Sequence, residues 1–472
     1  MKSLWDHQKK AISNAENLDH YALFMDPGLG KTRTAIEIVR DKYIKAERLL
    51  RTLIIGPTIV MENWRREWME YSQIKDENIV VLRGDGKKRV SLIKERCFSD
   101  AIPLGRIVVT NYEAIVAVKG LKDLLKLWRP EVIICDESHK IKSSSAKRTG
   151  AVIELGDLST YRYILTGTPV LQNYMDIYSQ YRFLDKGKLF GDNFFIFRNT
   201  YFYDKNAGMP SHVHFPDWAL KAHVEDDIHT RLHSCSMSAK KEDCLDLPPF
   251  VEKKVYVELS KQQARLYEDM RDKFIAFLDD EACTAQLAIT KGLRLQQIVS
   301  GFMVTDEGET IALEENPRAK ALEELLEDLA PNHKIIVWAC WRENYKQIKA
   351  VCEKLKLPFV EIHGGVAQGQ RQEAVDKFNN DPSIRVFIGN QGAAGIGINL
   401  IASDIMIYYS RNFSLEHDIQ SEARNFRAGS EIHAKVTRID IVARETIDEK
   451  VLEALSQKQI IGDKILKQLV QF

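Results

Sequence analysis

The run Asp26-Pro27-Gly28-Leu29-Gly30-Lys31-Thr32 carries the most specific chemistry in the chain. A glycine loop ending in Lys-Thr can wrap an anion. Its backbone N–H groups turn inward, and the helix that follows adds partial positive charge. On this reading Gly28, Leu29 and Gly30 line a phosphate cradle, Lys31 reaches the β- and γ-phosphates of a nucleotide, and Thr32 places its hydroxyl on Mg²⁺. The complete pattern wants a glycine where Met25 stands, and a glycine turn capping an ordinary βα unit is the alternative. Upstream, Gln8 offers a donor and an acceptor side by side, which suits an adenine edge. A second centre follows at Asp136-Glu137-Ser138-His139, entered from the apolar run Val132-Ile133-Ile134-Cys135. Adjacent carboxylates at a strand end repel each other unless a cation lies there. Asp136 would hold Mg²⁺ through its water shell, and Glu137 would orient and deprotonate an attacking water. A solvated acidic turn is the plain alternative, and a phosphate loop upstream in the same sheet favours the catalytic one.

Regular elements must position these groups. Tyr21-Ala22-Leu23-Phe24 reads as a buried strand into the loop, and Thr34 to Val39 as the first turns of a helix. Further strands end at Pro57-Thr58, at Thr110-Asn111 and at Leu165-Thr166-Gly167-Thr168-Pro169. Helices between them give the pattern of a parallel α/β sheet, whose ligands bind at the carboxyl ends of the strands. The stretch from Ser260 to Ser300 reads as helical. A second α/β block starts near Pro317, with strands at 334–338, 359–362, 385–388 and 405–409. Its glycine run from Gly392 to Leu400 lacks a Lys-Thr ending. Beyond it, Gln420 to Gly429 sets Arg424 and Arg427 three apart on one helical face. The expected division is lobe one over 1–249, irregular from about 186; a helical insertion and linker over 250–316; and lobe two over 317–472. Two such lobes suggest a cleft, with the two arginines acting as fingers on the γ-phosphate.

Composition narrows the class. Over 472 residues, 44% are hydrophobic and 28% charged, an ordinary globular balance. Lys plus Arg equals Asp plus Glu at 67 each, so no global charge points to nucleic acid, although a local basic groove stays compatible. The N-terminal residues have no apolar core of a signal peptide, and no apolar run is long enough to span a bilayer. The seven cysteines form no C-x-x-C pair, which suits reduced thiols in a cytoplasmic compartment.

In series, these segments are more telling than singly. The chain resembles helicase superfamily two, and within it the Swi/Snf-type double-stranded DNA translocases in a compact, bacterial or viral form. The likeness rests on His7-Gln8, Gly28 to Thr32, Pro57-Thr58 with Asn63-Trp64, Asp136 to His139, Leu165 to Pro169, His363-Gly364, Gly395 to Leu400 and Gln420 to Gly429. Departures are Ser138 in the acidic box, Leu171 after Leu165 to Pro169, Gly389-Asn390-Gln391 in place of Ser-Thr, Ser430 after the arginine run, and Ser236 to Lys241 where an arginine-rich stretch is usual.

The resemblance implies two RecA-like parallel-sheet lobes with a helical insertion, and ATP and Mg²⁺ as cofactors. It implies Lys31, Asp136, Glu137, Arg424 and Arg427 as catalytic, with Gly397 also at the nucleotide. His139 and Thr166 would couple the ATP site to motion. Pro57, Thr58, Thr110, Asn111, Gly364, Asn390 and Gln391 would grip the phosphate backbone of double-stranded or branched DNA. A monomeric, DNA-stimulated ATP hydrolase is the leading expectation. A strand-separating or branch-migrating helicase is the first rival, with Phe194 to Tyr203 as a conceivable wedge. An ATP-dependent interaction switch is the second.

Overall fold

The computed structural model describes residues 3–98, 106–170, 174–209, 216–279, 285–305, 307–366, 368–394 and 398–470. The chain divides into two compact units. Met1–Leu245 with Gln459–Phe472 form one, and Asp246–Lys458 the other.

The first unit is built on a seven-stranded sheet. Its strands are β1 (His20–Met25), β2 (Thr52–Gly56), β3 (Ile79–Val81), β4 (Ile107–Asn111), β5 (Val132–Asp136), β6 (Tyr161–Thr166) and β7 (Ser236–Ala239). They lie in the order β3-β4-β2-β5-β6-β1-β7, and every pairing is parallel. Strands buried on both faces need apolar residues at nearly every position, and these have them. In β1, Ala22 and Phe24 enter the core on one face, while Tyr21, Leu23 and Met25 enter the core on the other. Because all strands run the same way, the ends at Met25, Gly56, Asn111, Asp136 and Thr166 share one edge of the sheet.

The second unit holds a six-stranded, all-parallel sheet. Its strands are β8 (Phe250–Val257), β9 (Ile335–Ala339), β10 (Phe359–Ile362), β11 (Val386–Asn390), β12 (Ile405–Tyr408) and β13 (Val436–Ala443), in the order β8-β13-β12-β9-β11-β10. Helices at Lys261–Asp279 and Ala285–Val299 follow β8 and pack on each other.

Two expectations change. The unit boundary falls just before 249, and 250–316 opens on a sheet strand, because β8 pairs along its whole length with β13 from Phe250↔Val436 to Val257↔Ala443. The segment from 186 is also not irregular. It carries helices at Phe194–Tyr201 and Glu225–His233, a short hairpin pairing 202–204 with 218–220, and then β7, which completes the first sheet beside β1. Ser236 to Lys241 therefore serves as edge strand and its exit.

Candidate nucleotide-hydrolysis site

The glycine loop leaves β1 and enters α2 (Lys31–Lys45). Gly28 has φ +96°, and Gly30, the residue before the helix, has φ +73°. Both lie in the left-handed region that glycine tolerates without strain. A side chain at Gly30 would be excluded on space as well: its Cβ would lie 2.3 Å from Gln8 Nε2. Lys31 Nζ folds back to donate to Met25 O at 2.7 Å, and Thr34 Oγ1 donates to Gly30 O at 3.0 Å. Thr32 sits half-buried in the first turn of α2.

The loop is braced from three sides. From α1 (Asp6–Ala15), Gln8 places Nε2 at 3.5 Å from Leu29 O and 3.4 Å from Gly30 O, while its Oε1 accepts Trp5 N at 2.9 Å. The Gln8 amide is thus committed to backbone. From β7, Ala239 O accepts Asp26 N at 3.0 Å, and the Asp26 carboxylate accepts Lys241 N at 3.0 Å. From the end of β6, Gly167 comes so near that a Cβ there would meet Met25 O and Pro27 Cδ at 3.1 Å. A side chain there would force these neighbours to give by a few tenths of an ångström.

Two strands away from β1, Asp136 ends β5 and is 7% exposed. Trp64 Nε1 donates to its Oδ2 at 2.9 Å and Glu137 N to its Oδ1 at 3.0 Å. Burial, and then the charge of Glu137, push its pKa up to about 6, against the pull of the Trp64 N–H and the Lys31 ammonium. A buried carboxylate held up in this way gains most from a cation. The Gly56 strand end packs so tightly that a Cβ there would lie 3.3 Å from Asp136 Cβ. Glu137 itself adopts φ +52°, an uncommon conformation for a side-chain-bearing residue, and it turns the chain off the strand. The buried His139 sets Nδ1 at 3.1 Å from Thr166 Oγ1 and 3.4 Å from Glu137 Oε2, and Thr166 Oγ1 also accepts Thr168 N at 3.1 Å. Ser138 is fixed by Gln180, whose amide also donates to Pro169 O. Lys31, Asp136, Glu137, His139 and Thr166 thus converge on the ends of the neighbouring strands β1, β6 and β5. The left-handed glycines and the buried carboxylate fit a magnesium nucleotide.

The remaining expected residues are less uniform. Pro57 and the exposed Thr58 stand at the end of β2. Thr110 is fully buried within β4. Asn111 is 6% exposed, accepting Arg89 Nη1 at 2.6 Å and donating to Glu113 at 2.8 Å.

In the second unit, Gly364 is exposed, beside a His363 ring stacked on Tyr345 at 4.7 Å. Asn390 donates to Tyr345 OH at 2.8 Å and accepts Gly392 N at 3.0 Å. Gln391 is 2% exposed and its amide oxygen accepts from Cys340 Sγ. Gly397 and Leu171 lie outside the described residues.

Arg424 and Arg427 do not share a helical face. The helix Leu415–Glu422 stops before them, and the chain turns so that Leu400 N can bond Arg424 O at 2.9 Å. Arg424 is buried, with Nε on Gln420 O at 2.6 Å and Nη1 on Ile398 O at 3.2 Å; Arg427 is half-buried. Asp418 fastens this helix to β13 through Arg411, which bridges Asp418 and Asp440. Trp64, Gly167 and Gly56 were not assigned roles from sequence. The Asn63-Trp64 pair was a visible signal, but its partner lies on another strand.

Residues 8–301 match the family model of the SNF2-related domain, and residues 317–429 that of the helicase conserved C-terminal domain. The chain belongs to the SNF2-related family. It is 26% identical to the TATA-binding protein-associated factor mot1 of Aspergillus fumigatus, over 97% of this chain and 26% of that protein. It is 24% identical to putative protein p41 of Acyrthosiphon pisum secondary endosymbiont phage 1, over 98% of this chain and 97% of that one. The chain therefore spans about a quarter of the mot1 relative and nearly all of the phage relative. Among solved structures, the Sulfolobus solfataricus SWI2/SNF2 ATPase core in complex with dsDNA matches with a TM-score of 0.45 and 23% identity, covering 100% of this chain and 97% of that one. No described helix is long and apolar enough to cross a membrane.

Proposed function

We propose that this SNF2-family chain is an ATP-driven motor that translocates along double-stranded DNA. The observation that carries the reading is the convergence of Lys31, Asp136, Glu137 and the His139–Thr166 pair on adjacent strand ends. Backbone N–H groups of Gly28 to Thr32 and the α2 N-terminus bind the triphosphate, and Lys31 leaves Met25 O for the β- and γ-phosphates. Thr32 and Asp136 would hold Mg²⁺, which spreads the charge of the phosphates. Glu137 takes a proton from the attacking water. His139 lies within reach of both Glu137 and Thr166, which supports its passing a change at the base to the end of β6.

Arg427 is the arginine assigned to the γ-phosphate, and Arg424 holds the segment that presents it. Pro57, Thr58 and Gly364, with the backbone around Asn111, Asn390 and Gln391, are assigned to DNA phosphates. Such contacts carry no sequence information and weaken with salt. With about six neutralised phosphates, log affinity falls with log salt at a slope near −5.

A second reading, strand separation or branch migration, is favoured by one observation. On the helix Phe194–Tyr201, Phe197 and Tyr201 are buried, whereas Phe195 and Ile196 are 63% and 66% exposed, as an apolar wedge would be. The test measures ATP hydrolysis with no DNA and with single-stranded, duplex and branched DNA, beside triplex displacement and duplex unwinding. Duplex stimulation with displacement of a third strand supports the translocase. Efficient parting of a blunt duplex overturns it in favour of the helicase. Turnover indifferent to DNA overturns both.

A further inference from the structure

The helix Asp176–Asp185 reaches the site from a side the reading above leaves unused. Its Gln180 is buried, and so is Ser138, the residue at which the acidic box departs from the family pattern. Ser138 Oγ donates to Gln180 Oε1 at 2.7 Å. Gln180 Nε2 donates to Pro169 O and to Asp176 O, both at 2.8 Å. Those two carbonyls fix which way the amide points, because a flipped amide would set its oxygen against both of them. The Ser138 hydroxyl therefore meets an acceptor, and an alanine in its place would lose the bond. A second link lies one turn away on the same helix, where Lys142 Nζ is 3.4 Å from Asp176 Oδ2. The helix is thus joined to the acidic turn at Ser138 and at Lys142, and through Pro169 to the chain that leaves β6.

That exit segment is held elsewhere too. Thr166 Oγ1 lies 3.1 Å from His139 Nδ1, and Gly167 packs against Met25 O and Pro27 of the phosphate loop. Met25 O is the group that accepts Lys31 Nζ. Two bridges therefore run side by side from the acidic turn to the β6 exit. One is direct, from His139 to Thr166. The other passes through Gln180, from Ser138 to Pro169. They start at adjacent residues, immediately after Glu137, whose φ of +52° persists only where the surroundings hold it.

Resting on the nucleotide-hydrolysis reading above, we propose that Gln180 is a positioning residue for hydrolysis, and that Ser138–Gln180–Pro169 is a second bridge that keeps Glu137 in register with the β6 exit. Either bridge alone holds most of that geometry, and loss of both releases it. Ser138 and Gln180 act in series, whereas Ser138 and His139 act in parallel. The two arrangements give opposite patterns in double-mutant cycles.

The test uses the full chain with Mg²⁺, ATP and saturating duplex DNA. Turnover and KM are measured for the wild type, Ser138→Ala, Gln180→Met and His139→Ala, and for Ser138→Ala combined with each of the other two. Calorimetry with the β,γ-imido analogue of ATP gives the affinity and the fraction of competent sites, and turnover is expressed per competent site. Ser138→Ala should lower kcat about fivefold, the scale of one hydrogen bond. KM and analogue affinity should stay within about twofold, as for geometry that matters only in the transition state. Adding Gln180→Met to Ser138→Ala should slow turnover less than about twofold further, since both cut one bridge. Adding His139→Ala should slow it about tenfold beyond the product of the two single effects. If Gln180→Met does not fold, the cycle of Ser138 with His139 decides alone. An unchanged kcat in Ser138→Ala would overturn the proposal. So would effects of Ser138 and His139 that simply multiply, the pattern of unrelated packing losses, or an analogue affinity that falls as far as kcat. Wild-type turnover indifferent to DNA would remove the motor reading and leave the bridges to be judged by the same cycles. A wild type that hydrolyses no ATP would remove the hydrolysis reading and this proposal together.

Discussion

The two sheets share one architecture but use their strand-end residues in opposite ways. In the first unit Lys31 and Glu137, after β1 and β5, stay partly exposed beside the buried Asp136, His139 and Thr166: Lys31 is half-buried at the loop, and Glu137 stands in a left-handed turn facing His139. In the second unit the corresponding residues turn inward and bind neighbouring groups of the protein. Gln391 is occupied by Cys340, Asn390 by Tyr345 and Gly392, and Arg424 by the carbonyls of Gln420 and Ile398. The lesson is that a motif residue in this fold can be either reagent or scaffold. The first unit gathers its candidate reactive groups along one preorganised edge. The second is a set of braced loops, in which Gly364 is exposed and Arg427 half-buried.

The largest expected effects would break or uphold the reagent half. Lys31→Ala should abolish turnover and nucleotide binding. Glu137→Gln should keep binding within a few-fold and slow hydrolysis about a thousandfold, within the range of a lost general base. Near wild-type hydrolysis by the Gln variant would remove Glu137 as base.

The next test separates the arginines. Arg427→Ala should slow hydrolysis on the order of a thousandfold without weakening nucleotide binding, the signature of a finger. Arg424→Ala should leave buried carbonyls unpaired and cost about 3 kcal/mol of stability, on the scale of lost hydrogen bonds to a charged group, read by urea unfolding. A full-strength Arg424→Ala fold that lacks hydrolysis would make Arg424 a reagent and erase the contrast.

A smaller effect sharpens the electrostatics at Asp136. Its pKa is already up at about 6, and the Trp64 N–H is one of the groups holding it down. Mg²⁺ binding, which requires the ionised carboxylate, weakens as pH falls through that value. Trp64→Phe should therefore move the pH midpoint of Mg²⁺-dependent nucleotide affinity upward by roughly one unit, the equivalent of about 1.4 kcal/mol. An unmoved midpoint would mean that Asp136 does not set it. Smallest of all, Thr110→Val and Gln391→Ala should change DNA affinity less than about threefold, as expected of side chains with no path to a ligand.

Much of this protein could be read from residue order alone. Gly28 to Thr32 after an apolar strand, Asp136-Glu137 after another, and alternating helices and strands are local patterns. Parallel sheets also bind at their carboxyl ends as a rule of topology, so a candidate site at the ends of β1, β5 and β6 was legible. The arginine pair shows where local pattern fails. Its three-residue spacing spells a helical face, but the helix ends at Glu422, and Leu400 N bonds Arg424 O beyond it. The same limit applies to Thr110 and Asn111. They are neighbours in sequence at a polar strand end, yet one is enclosed and the other bound between Arg89 and Glu113. Sequence by itself determined which residue types could do chemistry, and which strands would carry them. Tertiary structure alone decided which way each side chain faces. Burial and hydrogen-bond satisfaction are settled by groups far apart in the chain, as when Trp64 reaches Asp136, Gly167 meets Met25, and Lys241 closes on Asp26.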